Sequence, residues 1–160
     1  MVTRSWIHST RVIIMSKFKE HMIRMLLEYA YQKELFLKNK ELSEEYERRI
    51  KEEQGVRSRP FDSIPGHNPT DYEKELINEQ YGYYLESKRA KQEMDRIWQK
   101  EHFTERFKVL LPIERTIIEM RYFERKSQEK IAIQLNYSDK TYISKKENKA
   151  LRKMIRVKID

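Results

Sequence analysis

Apolar residues recur along most of this chain with helical rather than strand spacing. From about Lys17 to Glu53, the residues Phe18, Met22, Met25, Tyr29 and Phe36 fall near a period of about 3.6, with Gln32 interrupting the stripe. Beyond Leu37 the pattern turns polar. Glu41, Glu44, Glu45, Glu47, Arg48 and Arg49 surround the thin anchors Leu42, Tyr46 and Ile50, so the second half of this helix is predicted to be well solvated. Residues 55–71 break the periodicity, with three of the four prolines and two of the three glycines. Each proline removes an amide donor and biases its predecessor away from helical backbone. The segment reads as a connector between two long helices or as a partner-binding loop. Thr70 and Glu73 then have capping-box spacing. A second helix is predicted from there to about Phe103, with Ile77, Tyr81, Tyr84, Met94 and Trp98 on its apolar face. Residues 17–53 and 72–103 are expected to form a helical hairpin.

The last third is more finely punctuated. Thr104 is placed to cap a short helix through Leu110, and Pro112 sits where a first-turn proline belongs. Ile113, Ile117, Met120 and Tyr122 or Phe123 follow at helical spacing. Ser127 can cap the next helix, Asn136-Tyr137 makes a turn, and Ser138 is the expected cap of a final helix from Asp139 to about Ile155. The fold class predicted is therefore all-α. Residues 1–103 form a hairpin for oligomerisation or partner contact, with linker 55–71, and residues 104–160 form a helix-turn-helix DNA-binding domain.

Charge sharpens the picture. Residues 104–160 hold 15 Lys/Arg against 8 Asp/Glu, whereas residues 1–103 hold 19 against 18, so nearly all of the net +8 is local to the C-terminal segment. A basic patch on a fold that fits a DNA groove points to nucleic acid. The charge count also predicts that residues 104–160 bind duplex DNA without the N-terminal half, though more weakly than the full chain. In a helix-turn-helix the first helix packs tightly, which suits Ile131, Leu135 and the small Ala132. The second lies in the major groove. With Ile143 inward, Glu147, Ala150 and Met154 share its side, and Glu147 is a polar blemish there that rotation to the rim would relieve. Thr141, Lys145, Asn148 and Arg152 then face outward. Together with Ser138, Lys140, Ser144 and Lys149 they make the candidate DNA-binding set. Amide, guanidinium and ammonium groups suit base edges, and hydroxyls and amines suit phosphates.

Leu111-Pro112, Glu114-Arg115, Arg121-Tyr122-Phe123, Ser127, Ile131-Ala132, Leu135, Ser138 and Ala150-Leu151-Arg152-Lys153 resemble the DNA-binding fourth region of sigma factors over about 45 residues. The chain looks closest to the small phage-encoded ArpU and RinA regulators. That resemblance implies a transcriptional activator of phage late genes, with duplex DNA and RNA polymerase as partners and a cytoplasmic, nucleoid-associated location in a bacterial host. Asn136 stands where glycine is usual. The interval from Ser138 to Ala150 is one residue longer than in typical sigma sequences, which leaves the alignment of base-reading positions open. Nothing in residues 1–103 resembles a polymerase-clamp-binding region. A small terminase-type packaging protein and a helical adaptor without DNA contact are the alternative functions. The thin apolar stripes of the hairpin predict a homodimer through the N-terminal helices.

No catalysis, metal or cofactor is expected. The absence of cysteine excludes disulfides, thiolate catalysis and Cys-ligated zinc. His8, His21, His67 and His102 lack ligand spacing, and no phosphate-binding loop or nucleophile motif occurs. No apolar run reaches the roughly 20 residues of a membrane helix. The first 14 residues interleave Arg4, His8 and Arg11 with apolar side chains and do not read as a signal peptide. Met1 and Met15 are both candidate starts.

Overall fold

The computed structural model describes the backbone of residues 3–57 and 71–159, and the side chains of residues 15–53 and 71–159. The described residues are all-α, as the periodicity predicts. Six helices occur among them: α1 (Thr3–Arg57), α2 (Asp71–Lys100), α3 (Phe103–Lys108), α4 (Pro112–Ile118), α5 (Gln128–Gln134) and α6 (Lys140–Arg156). Helix α4 continues into one wider π-helical turn, Glu119–Phe123, in which the Glu124 amide donates to the Glu119 carbonyl at 3.1 Å. Most of the expected linker, together with Thr70 of the expected capping box, lies outside the described residues.

The chain divides into two compact units. The first comprises residues 1–31 and 95–160. Its core joins Met22 and Leu26 of α1 and Ile97 of α2 to Phe103, Phe107, Ile118, Tyr122, Ala150, Leu151 and Met154. Tyr29, Trp98, Phe107 and Phe123 add ring contacts, with centroids 5.1 Å apart for Tyr29–Trp98 and 5.7 Å for Trp98–Phe107. In α1 the buried stripe of this unit is Met22, Leu26 and Ala30, whereas Phe18 is 55% exposed. Of the expected stripe, Met22 is buried and Met25 and Tyr29 pack against this core, while Leu26, absent from that stripe, is fully buried. Thr104 does not cap α3. It lies within the helix and accepts a hydrogen bond from Trp98 Nε1 at 2.9 Å, while His102, in left-handed backbone at φ 52°, makes the corner.

The second unit comprises residues 32–94. Its buried residues are few and, Leu76 apart, small or polar: Ser43, Glu73, Leu76, Ser87 and Ala90. Gln80 donates to the Ser43 hydroxyl at 3.1 Å, and Tyr46 packs on Tyr83 with centroids 5.4 Å apart. The Tyr46 hydroxyl also bonds Glu79, which pushes its pKa up to about 12. The predicted apolar face of α2 holds at Trp98, which packs on the core of the first unit, and is corrected at its other end. Ile77, Tyr81 and Tyr84 are 41%, 56% and 44% exposed.

Candidate nucleic-acid interface

Local capping chemistry sets the helix-turn-helix. The Ser127 hydroxyl accepts from the Lys130 amide at 3.3 Å and starts α5. Helix α5 ends with Asn136 in left-handed backbone at φ 56°. The Tyr137 amide reaches the Ala132 carbonyl at 2.8 Å, and the Asn136 amide reaches the Ile133 carbonyl at 3.2 Å. These two bonds close a Schellman turn, which Asn tolerates without glycine. Asp139, not Ser138, caps α6: its carboxylate accepts from the Thr141 amide at 2.9 Å. An acid one residue later reaches the same unpaired amides and also suits the positive end of the helix. Hydrogen bonding from Thr141, its side chain first and then its amide, holds the Asp139 carboxyl below its ordinary range.

Ile131, Ala132 and Ile143 are buried where the two helices meet, with Ile117 and Met120 beneath them. Glu147 is buried as well. It does not rotate to the rim, because it accepts from the Tyr122 hydroxyl at 2.6 Å and from Gln128 Nε2 at 2.7 Å. Burial, reinforced by that bond, pushes the Tyr122 phenol far up. A second buried carboxylate, Glu114, accepts from the Leu111 amide at 3.0 Å and from Lys153 Nζ at 2.6 Å. Burial works to raise its pKa, but these donors outweigh burial and hold it below the usual value. Arg106 donates to carbonyls of Glu101 and of Met154, tying α3 to the last turns of α6.

The predicted set does not occupy one equivalent environment. Ser138 is exposed in the turn. Lys140 is exposed but paired with Glu129 of α5 at 2.9 Å, a contact that raises the Lys140 pKa and lowers that of Glu129. Thr141, Lys145, Lys149 and Arg152 are exposed on the outer side of α6. Ser144 and Asn148 are half-buried, and Asn148 Nδ2 donates to the Ser144 carbonyl at 2.9 Å. Asn148 Oδ1 accepts from Lys19 of α1 at 2.6 Å. A groove of about 730 Å³ runs along this side, lined by Lys145, Asn148, Lys149, Arg152, Lys153 and Arg156. Lys153 and Arg156 were missed from the sequence. Arg156 continues the outward period from Arg152, so a slightly longer helix would have found it. Lys153 depends on Glu114, 39 residues away, for which periodicity carries no signal. Lys145, Lys149, Arg152 and Arg156 form no salt bridge among the described residues.

A short cap, a tight turn and a second helix with an outward cationic face define a helix-turn-helix of the DNA-binding class. Residues 107–154 match the family model described as Sigma-70, region 4. The match spans α4, α5 and nearly all of α6, and it supports a DNA-binding regulator. Comparison of the chain with curated proteins and with solved structures finds no match. Among the described residues no helix is long and apolar enough to cross a membrane, and no group of three or more His, Asp or Glu residues could hold a metal ion.

Proposed function

We propose that this chain is a sequence-specific transcriptional regulator that lays α6 in the major groove of duplex DNA. The observation that carries this reading is the outward row Lys145, Lys149, Arg152 and Arg156 on the second helix of a helix-turn-helix. Glu114 and Asp139 offset only part of this charge, the remaining like charges repel one another, and a phosphate backbone relieves that repulsion. Thr141 and Lys145, near the start of α6, face base edges, while Lys149, Arg152 and Arg156 reach phosphates. Ser138 and Lys140 approach the backbone from the turn, and Ser144 and Asn148 line the edge of the contact.

The reading extends to an activator of phage late genes that acts with RNA polymerase at a promoter. The sigma-type segment supports the contact with DNA and polymerase, and the late-gene role rests on the resemblance to phage regulators drawn from the sequence. The protein acts as a dimer joined through residues 32–94. The second unit supports this, since it buries little apolar surface and leaves Ile77, Tyr81 and Tyr84 outside. Recovery and sequencing of the DNA fragments bound in the host cell tests the function. Sites just upstream of late-gene transcripts are expected. A single site at the start of packaged DNA, or no enrichment, overturns the activator reading.

A further inference from the structure

The duplex-facing surface does not end at the helix-turn-helix. Lys19, on α1, lies 129 residues from Asn148 in sequence, yet its ammonium donates to the Asn148 carboxamide at 2.6 Å. Asn148 is itself a wall of the cationic groove. Lys19 is not carried there by a loose arm. Met22 and Leu26, one and two turns further along α1, are buried in the same core as Leu151 and Met154 of α6. Packing therefore fixes the course of α1 beside the recognition helix. Lys19 forms no salt bridge among the described residues, and it adds a cation beside a groove that already holds Lys145, Lys149, Arg152, Lys153 and Arg156. Only one of its three ammonium protons is used by Asn148. Adding another unpaired positive charge to such a cluster is unfavourable in the free protein and favourable once a polyanion lies against it.

We propose that Lys19 contacts the phosphate backbone of the duplex bound by α6, so that the DNA interface is built from both ends of the chain. The inference rests on the DNA-binding reading given above. In the free protein the same ammonium also orients Asn148, whose amide is held at both ends, by Lys19 and by the Ser144 carbonyl.

The test uses the full-length chain and a labelled mixed-sequence duplex, with binding followed by fluorescence anisotropy over a series of salt concentrations. Lys19→Gln keeps a donor for Asn148 and removes the charge. It is expected to weaken binding about fivefold to tenfold near 0.1 M salt, and to make the slope of log affinity against log salt shallower by about 0.9, the value of one lost phosphate contact. Lys19→Arg keeps the wild-type slope. In an Asn148→Ala background, Lys19→Gln still lowers the slope. Circular dichroism melting that matches wild type excludes a folding effect. A Lys19→Gln slope equal to wild type overturns the proposal, and tighter binding shows instead that Lys19 obstructs the groove. Loss of the effect in the Asn148→Ala background reduces Lys19 to a positioning residue and overturns the direct contact. If the wild-type chain leaves the duplex unbound even at low salt, the DNA-binding reading itself fails, which is distinct from failure at Lys19 alone.

Discussion

At the scale of single residues, buried polar pairs hold the recognition helix in register. Glu114 is fully buried and serves two donors, the Leu111 amide and Lys153. Glu114→Gln weakens a charge-assisted bond and is expected to cost about 2 kcal/mol, measured by urea unfolding at neutral pH. The pH dependence follows from the depressed carboxyl. A folded pKa below the unfolded one gives stability that is present above the unfolded value, about 4.3, and is lost as pH falls through the folded value. Thermal melting of wild type should therefore drop steeply below about pH 4, and more gently in Glu114→Gln. Glu129 and Asp139 shift in the same direction, but their exposure makes them minor contributors. On the outer side of α6, Arg152→Ala is expected to weaken binding to cognate and scrambled duplexes alike. It should lower the salt slope by about one unit while leaving the melting temperature unchanged, as a phosphate contact requires. Asn148 belongs to a different case. Its amide is oriented by Lys19 and Ser144, and one N–H and one oxygen lone pair are left over for a base edge.

At the scale of elements, helix α1 is the keel of the C-terminal domain. Met22 and Leu26 lie in one core with Phe103, Leu151 and Met154, and Ile97 of α2 joins them. This argues against the expectation, drawn from charge alone, that residues 104–160 bind DNA by themselves. That fragment would expose the faces covered by Met22, Leu26, Ile97 and Phe103. It is expected to lack a cooperative melting transition in circular dichroism and to bind duplex weakly, if at all, with no preference for sequence. Within the full chain, Leu26→Ala should cost about 2–5 kcal/mol through the cavity it leaves. Its affinity for DNA should fall in step with the folded fraction, although the residue itself does not line the groove. Equal stability of wild type and Leu26→Ala in urea would show that α1 does not support this core.

At the scale of the whole molecule, residues 32–94 contribute little to a core of their own. Leu76 and Ala90 are the apolar side chains buried there, alongside Ser43, Ser87 and Glu73. Ion pairs one helical turn apart, such as Glu45–Arg49 and Glu47–Lys51, decorate the exposed surface of α1 and are worth only a few tenths of a kcal/mol each. Ile77, Tyr81 and Tyr84 make an exposed apolar row on α2, and a second copy is the partner proposed for it. Sedimentation equilibrium is expected to show a concentration-dependent dimer, shifted towards monomer by Tyr81→Ser with Tyr84→Ser. The melting temperature of the helix-turn-helix should stay the same. A wild-type chain that remains monomeric throughout the accessible concentration range would refute the dimer.

What the sequence determined by itself is local in origin. Helical periodicity, Pro112 in the first turn of α4, the Ser127 cap, the left-handed Asn136 and the inward line of Ile131, Ala132, Ile143, Ala150 and Met154 all depend on residues within a few positions of one another. Even the misplaced cap of α6 was off by only one residue, Ser138 expected and Asp139 found, because Ser and Asp compete for the same amides. Tertiary structure decided what periodicity cannot encode, namely which distant side chain meets which. Glu147 remains inside because Tyr122, 25 residues away, offers a proton. Lys153 joins the groove through Glu114, and Asn148 is held by Lys19 at the far end of the chain. Of the α2 side chains in the second unit, Leu76, Ser87 and Ala90 are buried while Ile77, Tyr81 and Tyr84 lie outside, a choice that periodicity does not make. An apolar stripe marks a side chain as fit for burial. The shape and polarity of the surface that arrives opposite decide whether it is buried.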